Sequence, residues 1–449
     1  MSLMISVSGI RGIFGTDLTP ENIARFTAAF GTWIDGGTVV VGRDTRVTGP
    51  LCEAIVVSVL QSVGCDVIKV GMVPTPTVAM AVLRHEADGA VILSASHNPA
   101  EWNALKLLNG KSEFLDAGQG NEVIGLSEKG EFNYQSYEQI GATKEDAGAL
   151  AHHIQKIVDL SYIDRDSIAA AGFSVAIDPV NGTGAVALPP LLDALGVESV
   201  HRINAEPNGR FAHNPEPLPE HMRDIRTLVR ENNCDLGIVT DPDADRLALV
   251  TNRGEPFGEE NTQAAAADFL LGIRPGPTAT NLSSSRVMDY VARKHGQTCF
   301  RSPVGEIHVV KRMQEVEAVI GGEGNGGVIN PDLHYGRDAL VGVAMILQLL
   351  AERQVSLEEY KQELPEYYIT KQKIDLEGID ADDLLEKAQE AFADRHPNTA
   401  DGVKIDFEEG WVHLRKSNTE PIIRVYSESD TPEQSRELGT RVKERVLGD

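Results

Sequence analysis

Apolar positions along the chain alternate between two periods. Behind a Thr19-Pro20-Glu21 start, Ile23, Phe26, Phe30 and Trp33 recur at helical spacing until Gly36-Gly37, and Thr38-Val39-Val40-Val41 then reads as a strand. A helix through Ile55, Val59 and Leu60 leads to a strand over 66–70, and a further helix leads to the strand Ala90-Val91-Ile92-Leu93. The pattern restarts at Ser174-Val175-Ala176-Ile177, passes a turn at Asn181-Gly182-Thr183-Gly184, and reaches Leu236-Gly237-Ile238-Val239 through an amphipathic helix around Ile225 and Leu228. It restarts near residue 258 and arrives at the strand Ala318-Val319-Ile320. Such alternation predicts α/β layering with mixed, largely parallel sheets. Each of the three units ends in a strand followed by a polar or Gly-rich loop, where open α/β sheets place their ligands.

After a helix over 338–353, a Pro-bearing stretch at Leu364-Pro365 precedes a smaller region of different character. It reads as strand, helix, a hairpin over 403–414, a strand over 422–426 and a closing helix from Thr431, an α+β arrangement. A chain of 449 residues exceeds what one core organises. The expected division is therefore into four domains, over 1–150, 151–254, 255–363 and 364–449.

Charge narrows the function. With 41 Lys+Arg against 67 Asp+Glu, the net charge of −26 repels nucleic acid and anionic membranes. An anionic substrate then requires the few basic residues to be gathered in one cleft, so Arg and Lys near the loops carry information. The four cysteines, Cys52, Cys65, Cys234 and Cys299, show no C-x-x-C spacing and sit in or beside apolar runs, which predicts buried free thiols in a reducing compartment. There is no basic-plus-apolar leader, and no apolar run reaches about 18 residues, so a cytoplasmic protein without a membrane span is expected.

Four loops carry candidate chemistry. Ser94-Ala95-Ser96-His97-Asn98-Pro99 presents a hydroxyl at a strand end, useful for a nucleophile or phosphate carrier; an ordinary Ser-rich turn has the same form. No G-x-S-x-G elbow is present here, so the serine-esterase reading lacks support. Asp241-Pro242-Asp243-Ala244-Asp245-Arg246 sets three carboxylates at alternate positions between two apolar strands, where they can converge on one hard cation such as magnesium or form a solvated acidic turn. A calcium EF-hand is excluded, because its sixth and twelfth positions are Arg246 and Asn252.

The third loop, Gly321-Gly322-Glu323-Gly324-Asn325-Gly326-Gly327, is followed by Val328-Ile329-Asn330-Pro331, which is no helix start, so a dinucleotide fingerprint falls. Glu and Asn among glycines suit sugar hydroxyls, and a bare structural turn is equally consistent. The fourth, Arg415-Lys416-Ser417-Asn418-Thr419-Glu420-Pro421 with Arg424 beyond it, is a phosphate cradle or a polar hairpin exit.

In this order the four loops resemble those of the α-D-phosphohexomutase family, and the resemblance runs essentially end to end. Ser8-Gly9-Ile10-Arg11-Gly12 is similar to its amino-terminal signature, and Val41-Gly42-Arg43-Asp44-Thr45-Arg46 to its next segment. The resemblance implies a four-domain heart-shaped molecule whose loops meet in one cleft. It implies that Ser96 becomes a phosphoserine, and that Asp241, Asp243, Asp245 and a phosphoserine oxygen bind Mg2+. Arg11 and Lys106 would flank the reaction centre, and His97 would support the Ser96 loop. Glu323 and Asn325 would read sugar hydroxyls, Arg246 would bind substrate, and Arg415, Ser417, Asn418, Thr419 and Arg424 would hold the non-reacting phosphate.

The implied activity interconverts hexose or hexosamine 6-phosphate and 1-phosphate through a 1,6-bisphosphate, which also serves as activator. The loop forms are most similar to archaeal-type phosphoglucosamine mutases, with phosphoglucomutase/phosphomannomutase as the alternative; a sugar phosphatase and a non-catalytic anion binder are more remote. The implied partners are small sugar phosphates, to a monomer or homodimer. Three positions depart from the family pattern: Gly327 stands where His is common, Asn325 where Ser is common, and Ala104 where Gly is usual. The first removes a His general base from the sugar loop and leaves Lys106 as the better candidate.

Overall fold

The computed structural model of the chain describes residues 3–6, 9–376, 378–417 and 421–448. Among them lie four sheets. The first has seven strands, ordered Met4–Ser6, Gly9–Ile13, Trp102–Asn109, Gly89–Leu93, Thr38–Arg43, Asp66–Met72 and Thr143–Glu145. Half of its pairings are antiparallel, which makes it the most mixed of the three α/β sheets. The cause is the strand Trp102–Asn109, which returns from the Ser96 loop beside Gly89–Leu93 and recruits the N-terminal hairpin on its other side.

The second and third sheets repeat one plan. Leu236–Thr240 lies parallel to Ser174–Asp178 and antiparallel to Leu247–Thr251; Ile320–Glu323 lies parallel to Thr278–Asn281 and antiparallel to Gly327–Ile329. In all three units the last parallel strand thus turns back on itself, and that turn is the loop singled out by sequence. The fourth sheet is antiparallel throughout, in the order Tyr368–Asp375, Ile422–Ser429, Gly410–Lys416, Val403–Asp406.

The helix Ala339–Arg353 explains how the middle units are joined. Its residues from Ala339 to Leu350 are all buried, as a helix apolar on every side must be. It belongs to a single core that runs from Ile154 through Leu249 and Phe269 to Leu364, so the second and third units share one interior. Asp338 caps it, accepting from the amides of Leu340 at 2.8 Å and Val341 at 3.3 Å.

One strand and the burial of one cysteine differ from the sequence expectation. The strand expected over 318–320 begins at Ile320 and runs through Glu323, because Ala318 closes the preceding helix with its amide on the Met313 carbonyl. Glu323 is therefore a strand residue, and only the turn around Gly324-Asn325-Gly326 is loop. Cys52, Cys65 and Cys234 are buried free thiols as expected, but Cys299 is half-buried, since the edge strand that carries it is covered less completely. Among the described residues no single helix is long and apolar enough to cross a membrane.

Candidate active site

Ser96 leaves the strand Gly89–Leu93 in a left-handed conformation, φ 48°, which a non-glycine residue adopts at a cost of about 1–3 kcal/mol. Arg46 holds it there. Every N–H of this fully buried guanidinium is spent: Nε on Asp44 Oδ2 at 3.0 Å, Nη2 on the carbonyls of Ser96 and Asn98, both at 2.7 Å, and Nη1 on those of Pro99 and Trp102. One side chain thus fixes both ends of the Ser96 loop.

So held, Ser96 Oγ donates to Asp241 Oδ2 of the next unit at 2.7 Å. Asp241, Asp243 and Asp245 are all buried, and their carboxylates converge with one oxygen of each lying within 4.8 Å of the others. The convergence comes from a tight turn between paired strands, with Ala244 also left-handed at φ 50° and the amides of Asp245 and Arg246 donating to Asp241 Oδ1. Asp243 Oδ1 and Asp245 Oδ1 are buried without any hydrogen-bond donor. Buried, donor-starved carboxylate oxygens in a set of hard ligands fit a small divalent cation such as magnesium.

Side chains from other units compensate part of this charge. Lys106 Nζ lies 2.6 Å from Asp243 Oδ2 and 3.4 Å from Asp245 Oδ2, and Thr75 Oγ1 donates to Asp243 Oδ2 at 2.6 Å. Arg337 Nη2 donates to Asp245 Oδ2 at 2.8 Å while its Nη1 reaches Glu323 Oε2 at 3.0 Å. Burial pushes the Asp241 carboxyl well above the usual range, reinforced by Asp245 and Asp243. Burial acts the same way on Asp243, but Lys106 outweighs it and holds that carboxyl low. Burial would lower Lys106; Asp243 and Asp245 outweigh it and raise it, so the ammonium keeps its proton in this arrangement.

His97 Nδ1 stands 3.5 Å from Ser96 Oγ, and burial, followed by the charges of Arg246, Arg11 and Arg337, pushes its pKa down to about 2. It is a neutral imidazole. Arg11 Nη1 donates to Asn98 Oδ1 at 2.8 Å, which brings the second expected cation to the Ser96 loop.

From His97 a cleft of about 800 Å³ extends past Arg246, Glu323 and Asn325 to Arg415 and Arg424. Glu323 is oriented on three sides, accepting from Asn281 Nδ2 at 3.0 Å, the Gly305 amide at 3.2 Å and Arg337. Asn325 Oδ1 accepts from the Gly327 amide at 3.3 Å, and Arg246 Nη1 lies 3.5 Å from Glu216 Oε1. Arg415 and Arg424 are direct cross-strand partners, an arrangement that repels unless an anion or carboxylates intervene. Arg415 pairs with Asp401 at 3.2 Å and Arg424 Nη2 donates to Ser417 Oγ at 3.4 Å. Asn418 and Thr419 lie outside the described residues.

The structure also brings in residues that sequence reasoning missed. Arg337, Thr75, Asn281 and Glu260 each touch the site or its wall, and only Arg46 lay inside a quoted motif, with no role attached. Glu260, half-buried behind the sugar turn, accepts from the Ser285 amide at 3.0 Å, and burial pushes its pKa up to about 8. A Cβ placed on Gly324 would overlap its carboxyl group, so any larger residue there would have to displace the Glu260 side chain.

Comparison with known proteins gives the same picture along the whole chain. Models of the phosphoglucomutase/phosphomannomutase family match in order: α/β/α domain I over 3–134, domain II over 151–254, domain III over 260–368 and the C-terminal domain over 374–445. A protein of Thermococcus kodakarensis named phosphoglucomutase/phosphomannomutase is 36% identical over 459 aligned residues, covering 100% of both chains. A protein of Methanopyrus kandleri named probable phosphoglucosamine mutase is 35% identical over 444, covering 98% of this chain and 96% of its own. The crystal structure of a phosphoglucomutase/phosphomannomutase family protein from Burkholderia thailandensis superposes with a TM-score of 0.85 at 24% identity, over 99% of this chain and 98% of that one.

Proposed function

The chain belongs to the α-D-phosphohexomutase family, and from that premise we propose that it interconverts hexosamine 6- and 1-phosphates by passing a phosphoryl group through Ser96. It is a phosphohexomutase, an isomerase that acts as an intramolecular phosphotransferase. The observation that carries the Ser96 role is its Oγ at 2.7 Å from Asp241, in a buried nest of carboxylates and cations that no structural turn needs.

In the proposed cycle phosphorylated Ser96 faces the free hydroxyl of a sugar monophosphate. The P–O bond to Ser96 breaks as the bond to the sugar oxygen forms, and the hydroxyl proton ends on Ser96 Oγ. The resulting 1,6-bisphosphate turns around and returns its other phosphoryl group to Ser96, which regenerates the enzyme; added bisphosphate would load an unphosphorylated Ser96 by the same transfer.

Such transfer needs charge stabilisation and alignment more than a strong base. Asp241, Asp243 and Asp245 would hold Mg2+, which when bound supplies Lewis-acid neutralisation of the phosphoryl oxygens. Lys106 and Arg11 stand as fixed cations around the same point, and Arg46 keeps Ser96 in line. Arg337 ties the metal turn to Glu323, so the sugar reader and the reaction centre are positioned together. At the far end Arg415, Ser417 and Arg424 grip whichever phosphate is not reacting, since a guanidinium pair matches phosphate oxygens. Domain closure would exclude water from the phosphoserine.

Preference for an amino sugar is supported by the name of the Methanopyrus relative, probable phosphoglucosamine mutase. The name of the Thermococcus relative keeps glucose and mannose phosphates as the second reading. The free thiols favour a cytoplasmic setting. The test is kcat/KM for glucosamine, glucose, mannose and N-acetylglucosamine 6-phosphates with catalytic bisphosphate and Mg2+. Highest turnover of glucosamine 6-phosphate is expected. A preference for glucose or mannose phosphate overturns the amino-sugar assignment, and release of inorganic phosphate faster than isomer formation overturns the mutase cycle.

A further inference from the structure

A second group of ligand-type side chains lies apart from the aspartate turn, where three structural units meet. His153 comes from the helix Ala149–Val158, and His334 and Asp338 come from the segment that starts the helix Ala339–Arg353. All three are buried: His153 at 0%, His334 at 4% and Asp338 at 1% exposure. His153 Nε2 lies 2.9 Å and His334 Nε2 3.6 Å from the same oxygen, Asp338 Oδ2, and the three ligand atoms all fall within 4.8 Å of one another. Zinc bonds of about 2.0–2.2 Å in a tetrahedron put ligand atoms roughly 3.3 Å apart, so the set needs only small side-chain adjustments to close on an ion.

Two further observations point to a ligand. Both ring nitrogens of His334 are buried without a hydrogen-bond partner, an exception for a polar group in an interior. Thr77 Oγ1 lies 3.0 Å from His153 Nδ1, so a hydroxyl can fix that ring and direct Nε2 at Asp338. Asp338 divides its labour, with Oδ1 on the helix cap and Oδ2 turned to the histidines. Oriented imidazoles with a capped carboxylate are how proteins build transition-metal sites.

We propose that His153, His334 and Asp338 form a structural site for a divalent transition-metal ion of the Zn2+ type, separate from the magnesium turn. Two imidazoles and one carboxylate suit zinc and are poor ligands for magnesium. A solvent molecule completes the tetrahedron. The ion clamps the helix that follows the first unit to the helix shared by the second and third. It also steadies the aspartate turn, because the Ala339 amide, next to Asp338, donates to the Ala244 carbonyl at 3.2 Å.

The test uses full-length protein stripped with chelator and returned to excess Mg2+, which occupies the aspartate turn. Co2+ is then titrated as a visible-absorption probe. We expect one equivalent to bind with the strong d–d band of tetrahedral Co2+ and to be displaced by Zn2+. His334→Ala and His153→Ala should each weaken binding more than tenfold, Thr77→Val roughly ten- to a hundredfold, and Asp243→Asn should leave the band intact. Absence of a tetrahedral band in the folded wild-type protein overturns the proposal. So does a band that survives His334→Ala or disappears in Asp243→Asn.

Discussion

Replacing Arg46 by Met tests whether the Ser96 loop is held by one side chain. The substitution keeps most of the aliphatic stem and removes five donated hydrogen bonds, one to Asp44 and four to the carbonyls of Ser96, Asn98, Pro99 and Trp102. Breaking a buried ion pair from one side costs about 3–5 kcal/mol, and any carbonyl left without a donor adds to it. For the first domain this is a fall in melting temperature of ~10–20 °C, read by calorimetry. The loss depends on pH with a definite sign. Burial already raises the Asp44 carboxyl against the opposing pull of Arg46. Without Arg46 that pKa climbs further, so the folded variant keeps a proton that the unfolded chain releases, and its deficit grows as pH rises above the ordinary carboxylate range. The deficit should therefore be larger at pH 8 than at pH 5.

Activity should follow position. A displacement of Ser96 by about 1 Å lowers kcat on the order of a hundredfold, whereas KM should change little because Arg415 and Arg424 are untouched. Arg46→Lys should not rescue, since an ammonium has three donors for five acceptors. Wild-type melting and kcat in Arg46→Met, or a deficit equal at both pH values, would refute the reasoning.

Other perturbations read other parts of the site. Mg2+ at about 100 times its Kd should stabilise the wild-type chain by about 2.7 kcal/mol in thermal melts; Asp243→Asn should lose most of that gain along with turnover, and an undiminished gain would contradict the metal assignment. Glu260, with its pKa pushed up to about 8 by burial, keeps its proton when folded and loses it when unfolded, so wild-type stability falls as pH rises from the ordinary Glu range to that value. Glu260→Gln should remove this slope, up to about 1.4 kcal/mol per pH unit, and parallel stability curves for the two proteins would count against it. Gly324→Ala should raise KM by driving a methyl group into the Glu260 carboxyl, and adding Glu260→Ala should restore it, a coupling of about 0.5–3 kcal/mol in a double-mutant cycle. Strict additivity would contradict the overlap.

What was legible in the sequence follows from how far apart the cooperating residues lie. The aspartate turn could be read locally, because alternate carboxylates between two apolar strands are a contiguous pattern and the strands pair as that pattern requires. Ser96 was visible as a residue, and its resemblance to a known loop gave it a role, but the left-handed backbone and the Arg46 clamp depend on contacts some fifty positions away. Arg337 carried no local signal: it precedes a helix start, and its importance arises only when the shared core brings it between Asp245 and Glu323. The even mixture of strand directions in the first sheet was not legible for a similar reason. Apolar strand runs show their burial, but their direction was set by the return through Trp102–Asn109. The same shared core, invisible to a division of the chain into segments, also assembles His153 with His334 and Asp338.

The central claim is that Ser96 carries the transferable phosphoryl group, and intact-protein and peptide mass spectrometry tests it most directly. Protein incubated with glucosamine 1,6-bisphosphate and Mg2+ should gain one phosphoryl group, mapped to Ser96. Mixing with unlabelled glucosamine 6-phosphate should then discharge it into sugar bisphosphate within a turnover, while Ser96→Ala neither gains the group nor isomerises substrate. A phosphoryl group mapped to another residue, or sustained isomerisation by Ser96→Ala, would contradict the account.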